Sequence, residues 1–419
     1  MKIHVAGSNH SQENPVSPFR RLWRSAPPSL RASVNKSVTA SMNLLGRVRG
    51  QMERGGKSRA PVCVMGLHRA VLGLGRGARL FQGALDDMNV ETTAWDVSPL
   101  IANDLTLPAP SSDLSTASCV VAHLNPIEHL HALALYRGER PKRGFRVGCW
   151  AWETSRVPDE WKAGLAAIDE VWCPSVFTAN AVRELIGTAR PIRIMPYAIV
   201  PSLIGQGDRN RFGFAEDKVT FFAACDLRSS IQRKNPIGAI EAFHRSGCGQ
   251  RGEGELIVKV HGDYPGSGLT SLIEAAAKVP GVRIFDATLS AVDMKVLRSS
   301  IDVVLSPHRS EGFGLVMAEA MLAGKPVIAT GWSGNMDFMD ETSAALINAR
   351  EVPVNDPSGA YATGTWAEPD LDHCADLILK LANDPIERAR LSKAGREKMI
   401  AYSNPDKWRA HVSDLLGLN

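Results

Sequence analysis

The sequence predicts an α/β protein built from two doubly wound domains. Its 419 residues are 44% hydrophobic and 22% charged, which is an ordinary globular composition. Twice along the chain, short apolar runs of strand length alternate with helical stretches, and this alternation is typical of parallel sheets covered by helices. The length is sufficient for two or three domains, each with its own core.

The first α/β domain is expected at residues 59–200. Five apolar runs predict its strands: Val62–Met65, Val90–Trp95, Cys119–His123, Phe145–Trp150 and Glu170–Cys173. Three amphipathic stretches predict helices: Ala78–Met88, Pro158–Ile168 and Thr178–Leu185. The second series of strands and helices is expected to begin after residue 200.

The second α/β domain is expected at residues 201–384, beginning with a Gly-rich, polar linker at 201–213. Its predicted strands are Val219–Ala224, Leu256–Val260, Val282–Phe285, Val303–Ser306 and Val327–Ala329, and its helices include Pro236–Arg245, Ala291–Ser299 and Leu315–Leu322. A charged helical tail follows at 385–419. Open parallel sheets bind ligands at the carboxyl ends of their strands, so two facing sheets would place a site between the domains.

Residues 1–58 form a basic extension with a balance of +8, whereas the rest of the chain has a balance of −4. The body is therefore not a nucleic-acid binder by charge. Within the extension, one helical stripe is apolar: Leu30, Val34, Val38, Met42, Leu45, Val48 and Met52. Such a helix is expected either to lie on an anionic membrane surface or to pack on the body; a partly disordered arm is the third alternative.

The seven cysteines are scattered and form no CxxC pair, so we expect reduced thiols in the core of a cytoplasmic protein. The sequence has no uninterrupted apolar run near the ~20 residues that span a bilayer. The expected location is the cytoplasm, with the inner face of the cytoplasmic membrane as the contact surface for the extension.

The segment from Ser306 to Thr330 reads as strand, loop, helix and strand. Its loop, Glu311-Gly312-Phe313-Gly314, opens the helix, where small residues let backbone amides approach an anion. Glu319 follows eight positions after Glu311. Because a carboxylate accepts hydrogen bonds from vicinal hydroxyls, the pair suits a phosphate between two polyols, as in a nucleotide sugar. Either glutamate alone is equally compatible with a surface charge.

Three further segments carry candidate side chains. Arg228, Arg233 and Lys234 follow the strand Val219–Ala224, and their cations suit a departing diphosphate, although a solvated basic loop is the alternative. The Gly-rich stretch around Gly75 does not fit the dinucleotide-binding spacing, but we expect it to face the crevice as a flexible loop. Trp150, Trp152 and Glu153 end a strand and suit a sugar, or else belong to the core; His123 and Asn125 are weaker candidates.

Taken together, these segments resemble the retaining glycosyltransferases of the GT-B fold, specifically glycosyltransferase family 4 of the bacterial group 1 type. The resemblance runs from about Val62 to Ser403. It rests on Glu311-x7-Glu319 with Gly324–Thr330, and on the segments Gly73–Gly75, Trp150–Glu153, Arg233–Pro236 and Trp366–Pro369. The fold it implies is two Rossmann-like doubly wound domains facing a cleft, the first for the acceptor and the second for the nucleotide sugar.

The resemblance also implies roles for the candidates. Arg228 and Lys234 would hold the donor diphosphate, Glu319 the ribose hydroxyls, and Glu311 the donor sugar. Gly312, Phe313 and Gly314 would offer backbone amides, and Gly75 and Arg233 complete the expected donor site. Many members place a histidine beside the reacting carbon; here the comparable strand end holds Glu153, with His123 as the second candidate.

The implied activity is transfer of a hexose, with retention, from a nucleotide-diphosphate sugar to a hydroxyl of a glycan or lipid-linked glycan in bacterial polysaccharide assembly. The departing phosphate would deprotonate the acceptor on the same face. No metal and no resident cofactor are expected. The alternatives are a GT-B-like epimerase, a phosphorylase, for which no pyridoxal phosphate site is evident, and a non-catalytic scaffold that binds nucleotide sugars.

Overall fold

The computed structural model describes residues 28–50, 61–102, 105, 107–110, 114, 117–142, 144–199, 206–264 and 266–417. In this part of the chain the backbone forms two six-stranded sheets and one two-stranded sheet. Residues 201–205 of the expected linker lie outside the described residues, as do residues 1–27 and 51–60 of the extension.

The first sheet confirms the five predicted strands and adds one at its edge. Its strands are β1 (Val62–Gly66), β2 (Thr92–Asp96), β3 (Cys119–Ala122), β4 (Phe145–Cys149), β5 (Glu170–Cys173) and β6 (Ile192–Ile194). They pair in the parallel order β2-β1-β3-β4-β5-β6. The three-residue β6 is too short to produce a periodic pattern, so the sequence did not predict it.

Helices cover this sheet and connect its strands. They are α1 (Pro28–Arg49), α2 (Gly73–Asp86), α3 (Ser98–Ile101), α4 (Pro126–Leu135) and α5 (Val176–Ile186), with a 3₁₀ segment at Asp159–Ala167. The prediction of a helix starting at Ala78 was wrong by one and a half turns. Helix α2 begins at Gly73, so the Gly-rich stretch is its first turn and not a flexible loop.

The second sheet also confirms its five predicted strands. Its strands are β7 (Val219–Asp226), β8 (Gly254–His261), β9 (Val282–Asp286), β10 (Val303–Ser306), β11 (Val327–Thr330) and the short edge strand β12 (Ala345–Ile347). All neighbours are parallel, in the order β12-β11-β10-β7-β8-β9. The chain reverses direction across this sheet between β7 and β10, and doubly wound sheets place their ligands at such a switch point.

The helices of the second half follow the same alternation. They are α6 (Ile231–Lys234), α7 (Pro236–Ser246), α8 (Cys248–Arg251), α9 (Leu269–Ala277), α10 (Ala291–Ser300), α11 (Leu315–Leu322), α12 (Leu371–Asn383), α13 (Pro385–Tyr402) and α14 (Pro405–Leu416). Two 3₁₀ turns, Asn210–Phe212 and Gly334–Asp337, join strands and helices.

An antiparallel hairpin separates the second sheet from helix α12. Its strands are β13 (Ala349–Pro353) and β14 (Thr365–Pro369), joined by residues 354–364. Its second strand contains the Trp366–Pro369 segment. The sequence did not predict this element, because β13 is mostly exposed and shows little hydrophobic alternation.

The helical tail ends on the first domain. The side chains of Val412 and Leu416 in α14 are fully buried in the hydrophobic cluster of that domain. The ring of Trp408 lies 5.7 Å from the ring of Phe81, and its indole nitrogen donates to the carbonyl of Pro196 at 3.2 Å. The tail therefore joins the two domains on the side of the first sheet.

Helix α1 of the extension packs on α4, as one of the alternatives predicted. Gly46 lies so close to α4 that an added Cβ would be 2.1 Å from the carbonyl oxygen of Leu130. Arg49 donates from Nη1 to the carbonyl of Ala134 at 2.6 Å. The opposite face is open to solvent: Leu44 is 63% exposed and Val48 is 59% exposed. The side chains of Leu30, Val34 and Val38 and the whole of Met52 lie outside the described residues.

All seven cysteines are free thiols, and six are buried, as expected; Cys149 is half-buried. Burial raises the pKa of the Cys225 thiol to about 11 and that of Cys374 to about 12. None of the helices in the described part of the chain combines the length and the apolar composition needed to cross a bilayer.

Candidate active site

The candidate site starts at the switch point of the second sheet, after strand β7. Asp226 ends this strand, and its Oδ1 lies 3.1 Å from Nε of Arg228. Burial opposes ionisation of Asp226, but the nearby His261 and hydrogen bonds from Arg228 outweigh it and lower its pKa to about 2. Arg228 also donates from Nη2 to the carbonyl of Val71 in the first domain at 3.1 Å. The pair with Asp226 and the hydrogen bond to Val71 thus hold Arg228 at the cleft between the domains.

A capped helical turn presents the next two cations. The hydroxyl of Ser230 accepts a hydrogen bond from the backbone amide of Arg233 at 3.1 Å, which begins α6. Asn235 ends α6 in the left-handed conformation (φ 52°) and caps α7 through Gly238. Pro236 then fills the first position of α7. The Arg-Lys-Asn-Pro sequence therefore builds a tight turn between two helices.

Arg233 and Lys234 both pair with Glu311, which lies in the loop after β10. Lys234 Nζ is 2.5 Å from Glu311 Oε1, and Arg233 Nη1 is 3.3 Å from Glu311 Oε2. Burial opposes ionisation of Glu311, but Lys234 and Arg233 prevail and lower its pKa to about 2. The structure thus brings three predicted site residues into one buried ion cluster.

The loop after Glu311 is held by the first domain. The carbonyl oxygen of Gly312 accepts hydrogen bonds from the hydroxyls of Ser175 at 2.6 Å and Thr178 at 3.3 Å. Gly314 takes a φ of 98° and precedes α11 without a side-chain cap. Phe313 is 3% exposed and packs its ring 5.2 Å from that of Tyr197. The side chain of Phe313 therefore anchors the loop, and the amides that open α11 have no capping side chain among the described residues.

Glu319 lies in α11 with both carboxylate oxygens occupied by arginines. Arg298 Nη1 is 2.7 Å from Oε2, and Arg76 Nη2 is 3.0 Å from Oε1. Arg298 comes from α10 of the same domain, whereas Arg76 comes from the first turn of α2 in the first domain. The sequence singled out neither arginine, although Arg76 lies inside the Gly-rich segment; Arg298 carried no sequence signal.

Glu153 joins the cluster from the loop that follows β4. Its Oε1 lies 3.8 Å from Arg233 Nη2, and its Oε2 accepts a hydrogen bond from the hydroxyl of Tyr361 at 2.8 Å. Trp152 is half-buried, and its ring lies 5.0 Å from that of Tyr361. Tyr361 stands 208 positions away from Glu153 in the chain and had no sequence signal.

The neighbouring candidates serve the core of the first domain. Trp150 is fully buried against Trp161, so the core interpretation holds for it and a sugar cannot stack on it. His123 is also buried, and burial, then the nearby His68, lower its pKa to about 3. Asn125 Oδ1 accepts a hydrogen bond from the amide of Ala151 at 2.9 Å and so shapes the chain before Glu153.

Gly75 is placed by packing inside helix α2. A Cβ at this position would lie 2.4 Å from the carbonyl oxygen of Leu67. The absence of a side chain therefore lets α2 approach the turn after β1, and this approach brings Arg76 to Glu319. The expectation of a flexible loop at Gly75 was wrong.

The second domain matches a known sequence family. Residues 228–398 match the family described as glycosyl transferases group 1. This stretch contains Arg228, Lys234, Glu311 and Glu319, and it includes the hairpin.

Curated relatives are similar to part of this chain. A D-inositol 3-phosphate glycosyltransferase from Saccharomonospora viridis is 31% identical over 168 residues, which are 39% of this chain and 34% of the relative. The sulfoquinovosyl transferase SQD2 of Arabidopsis thaliana is 31% identical over 133 residues, which are 32% of this chain and 22% of the relative. The matched region thus spans about a third of the first relative and less of the second.

Solved structures match across both domains. The sucrose-phosphate synthase of Thermosynechococcus elongatus gives a TM-score of 0.62 at 15% identity and covers 85% of this chain and 98% of its own. Anabaena Alr3699/HepE, solved in complex with UDP and glucose, gives a TM-score of 0.59 at 13% identity. The match covers 85% of this chain and 99% of that protein. With the two facing parallel-sheet domains, these likenesses show that the chain has the GT-B fold, and its residues 228–398 match the family of group 1 glycosyl transferases.

Proposed function

We propose that the protein is a retaining glycosyltransferase of family 4. It moves a hexose from a nucleoside-diphosphate sugar to a hydroxyl of a glycan or glycolipid acceptor in bacterial polysaccharide assembly. The observation that carries the proposal is the ion cluster of Lys234, Arg233, Glu311 and Glu153 at the cleft between the domains. The group 1 relatives and the GT-B fold support it.

The cations of this cluster match the charge that a transfer reaction develops. When the bond between the sugar and the diphosphate breaks, negative charge builds on the leaving phosphate. Lys234, Arg228 and the amides that open α11 would stabilise that charge because they are already in place and partly shielded from water. Glu311 would hold Lys234 in position and contact the donor sugar near its anomeric carbon.

The carboxylates would divide the polyol contacts. Glu319 would accept hydrogen bonds from the two ribose hydroxyls, and the nucleotide would then take the place of Arg76 on Oε1. Glu153, on the first domain, would lie beside the anomeric centre. The departing phosphate would take the proton of the acceptor hydroxyl on the same face, so the anomeric configuration would be retained.

Turnover with defined donors tests this proposal against its alternatives. UDP- and GDP-sugars are incubated with the protein and candidate glycan acceptors, released nucleoside diphosphate is measured, and the anomeric configuration of the product is read by NMR. We expect release with one donor and a retained configuration, with Glu311→Gln reducing the rate at least a hundredfold. Tight nucleotide binding without any turnover would favour a scaffold. An isomerised donor sugar would favour an epimerase.

We also propose that α1 contacts an anionic membrane from the cytoplasmic side. Leu44, Leu45 and Val48 are exposed beside Arg47, on the face turned away from α4, and the extension is strongly basic. Apolar side chains flanked by cations suit the boundary between headgroups and acyl chains. The helix would then hold the first domain at the surface where a lipid-linked acceptor lies.

Charge insertion tests the membrane contact without removing the helix. Leu44→Glu with Val48→Glu should abolish sedimentation with phosphatidylglycerol vesicles and leave nucleotide binding intact. Val292→Glu with Ile386→Glu is the matched control, because both side chains are exposed and apolar but lie on the second domain and the tail. Equal vesicle binding by the two double variants would contradict the proposal.

A further inference from the structure

The hairpin β13–β14 reaches from the second domain to the first. The amide of Ser155 donates to the carbonyl of Thr365 at 3.2 Å, and the amide of Thr365 donates to the hydroxyl of Ser155 at 2.8 Å. A Cβ on Gly364 would lie 2.8 Å from the backbone nitrogen of Arg156. The hairpin is thus in direct backbone contact with the segment that follows Glu153.

The same hairpin is fixed to the donor side of the cleft through Arg309. The guanidinium of Arg309 makes a bidentate pair with Glu368 of β14, at 2.7 and 2.8 Å. Its backbone amide donates to the carbonyl of Arg233 at 2.7 Å, and its carbonyl accepts from the amide of Ala367 at 2.9 Å. Because Arg309 stands two positions before Glu311, the hairpin, Arg233 and Glu311 are mechanically connected.

The connecting loop of the hairpin carries Tyr361 into the cluster. Asp356 organises the loop by accepting hydrogen bonds from Ser358 and from the amide of Tyr361. The tyrosine is 8% exposed, and Arg233 Cζ lies 5.6 Å from its ring centroid. Its hydroxyl donates to Glu153 Oε2, as described above. Tyr361 therefore contacts Glu153, Trp152 and Arg233 at once.

We propose that Tyr361 is a positioning residue of the transfer reaction, which holds the Glu153 carboxylate beside, but not against, Arg233. The proposal rests on the proposed function. Glu153 Oε1 stands 3.8 Å from Arg233, and Arg233 also faces Glu311 at 3.3 Å. Without the tyrosine hydroxyl, Glu153 collapses onto Arg233 and draws it away from Glu311. The contact of the hairpin with the first domain thereby helps to set the positions of Glu153, Arg233 and Glu311.

Removal of the single hydroxyl tests this role. Tyr361→Phe keeps the ring contacts with Trp152 and Arg233 and deletes only the hydrogen bond to Glu153. We expect kcat for nucleoside diphosphate release to fall about ten- to a hundredfold, the range for losing a hydrogen bond to a charged group. The KM for the donor and the affinity for the nucleoside diphosphate should stay within about twofold. Tyr136→Phe, on the far end of α4, is the matched control and should keep the wild-type kcat.

A double-mutant cycle separates positioning from a structural role. If Tyr361 acts through Glu153, then Tyr361→Phe should have no further effect on kcat in a Glu153→Gln background. Additive losses, an effect confined to KM, or a lowered Tm with equal loss of nucleotide affinity would each overturn the proposal. A wild-type protein without turnover would refute the proposed function and this role with it. Normal wild-type turnover with an unchanged Tyr361→Phe variant would refute the role of Tyr361 alone.

Discussion

Lys234 and Glu311 stand 77 positions apart in the chain, and Nζ of the one lies 2.5 Å from Oε1 of the other. Lys234 ends the short turn after β7, and Glu311 follows β10. These two strands are neighbours in the sheet although two others intervene in the sequence. The pair therefore results from the point at which the sheet reverses its winding direction.

Replacing Lys234 should stop turnover. Lys234→Ala leaves Glu311 paired with Arg233 alone and removes one cation from the site that is proposed to bind the leaving group. We expect nucleoside diphosphate release to fall at least a hundredfold, the cost of losing one preorganised charge in an active site. Lys393→Ala, an exposed lysine on α13, should retain the wild-type rate. Activity of Lys234→Ala within twofold of wild type would argue against a role for the cluster in leaving-group departure.

The two partners of the Arg76–Glu319 contact should affect nucleotide affinity in opposite directions. Glu319→Ala removes the proposed ribose acceptor and should weaken UDP or GDP binding about tenfold or more, measured by calorimetry. Arg76→Ala removes a competitor for the same oxygen and should strengthen binding by about two- to fivefold, since an ion pair whose arginine is partly open to solvent is worth little. Weaker binding by both variants would show that Arg76 assists the nucleotide.

A methyl group at Gly312 should separate the domains. The Cβ of Gly312→Ala would lie 2.9 Å from the carbonyl oxygen of Trp152, a backbone atom that cannot move alone. We expect loss of the hydrogen bonds from Ser175 and Thr178, a lowered Tm and little turnover. Gly83→Ala is the matched control because its side chain would meet open space in the last turn of α2. That variant should gain about 0.5–1 kcal/mol in free energy of unfolding.

The free energy of unfolding should fall as the pH is lowered below the pKa of free histidine. Burial, then the charge of Arg146, lower the pKa of His129 from 6.5 to about 4, so the unfolded chain binds its proton first. The contribution of His129 to the free energy of unfolding is fully present above pH 6.5 and is lost as the pH falls toward 4. Between pH 7 and 5 this amounts to about 2 kcal/mol for one histidine. In urea titrations, His129→Gln should flatten this pH slope; an unchanged slope would contradict the assignment.

The alternation of strands and helices could be predicted because the strands are short apolar runs bounded by turn residues, with helical stretches between them. Strand β5, strand β10 and helix α11 match the predicted bounds, since their apolar runs end at clear turn residues. The elements that the sequence missed lack such a pattern. Strands β6 and β12 have three residues each, and β13 is largely exposed.

The sequence by itself determined the two-domain α/β class and singled out Glu311, Glu319, Arg228 and Lys234. Arg228, Lys234 and Glu311 stand in the segments that follow strands β7 and β10, and Glu319 lies eight positions after Glu311 in helix α11. Only the tertiary structure decided which groups meet across the cleft: Arg76 at Glu319, and Tyr361 at Glu153. The physical reason is that contacts across a cleft depend on how two separately folded sheets are oriented, and no local periodicity records that orientation.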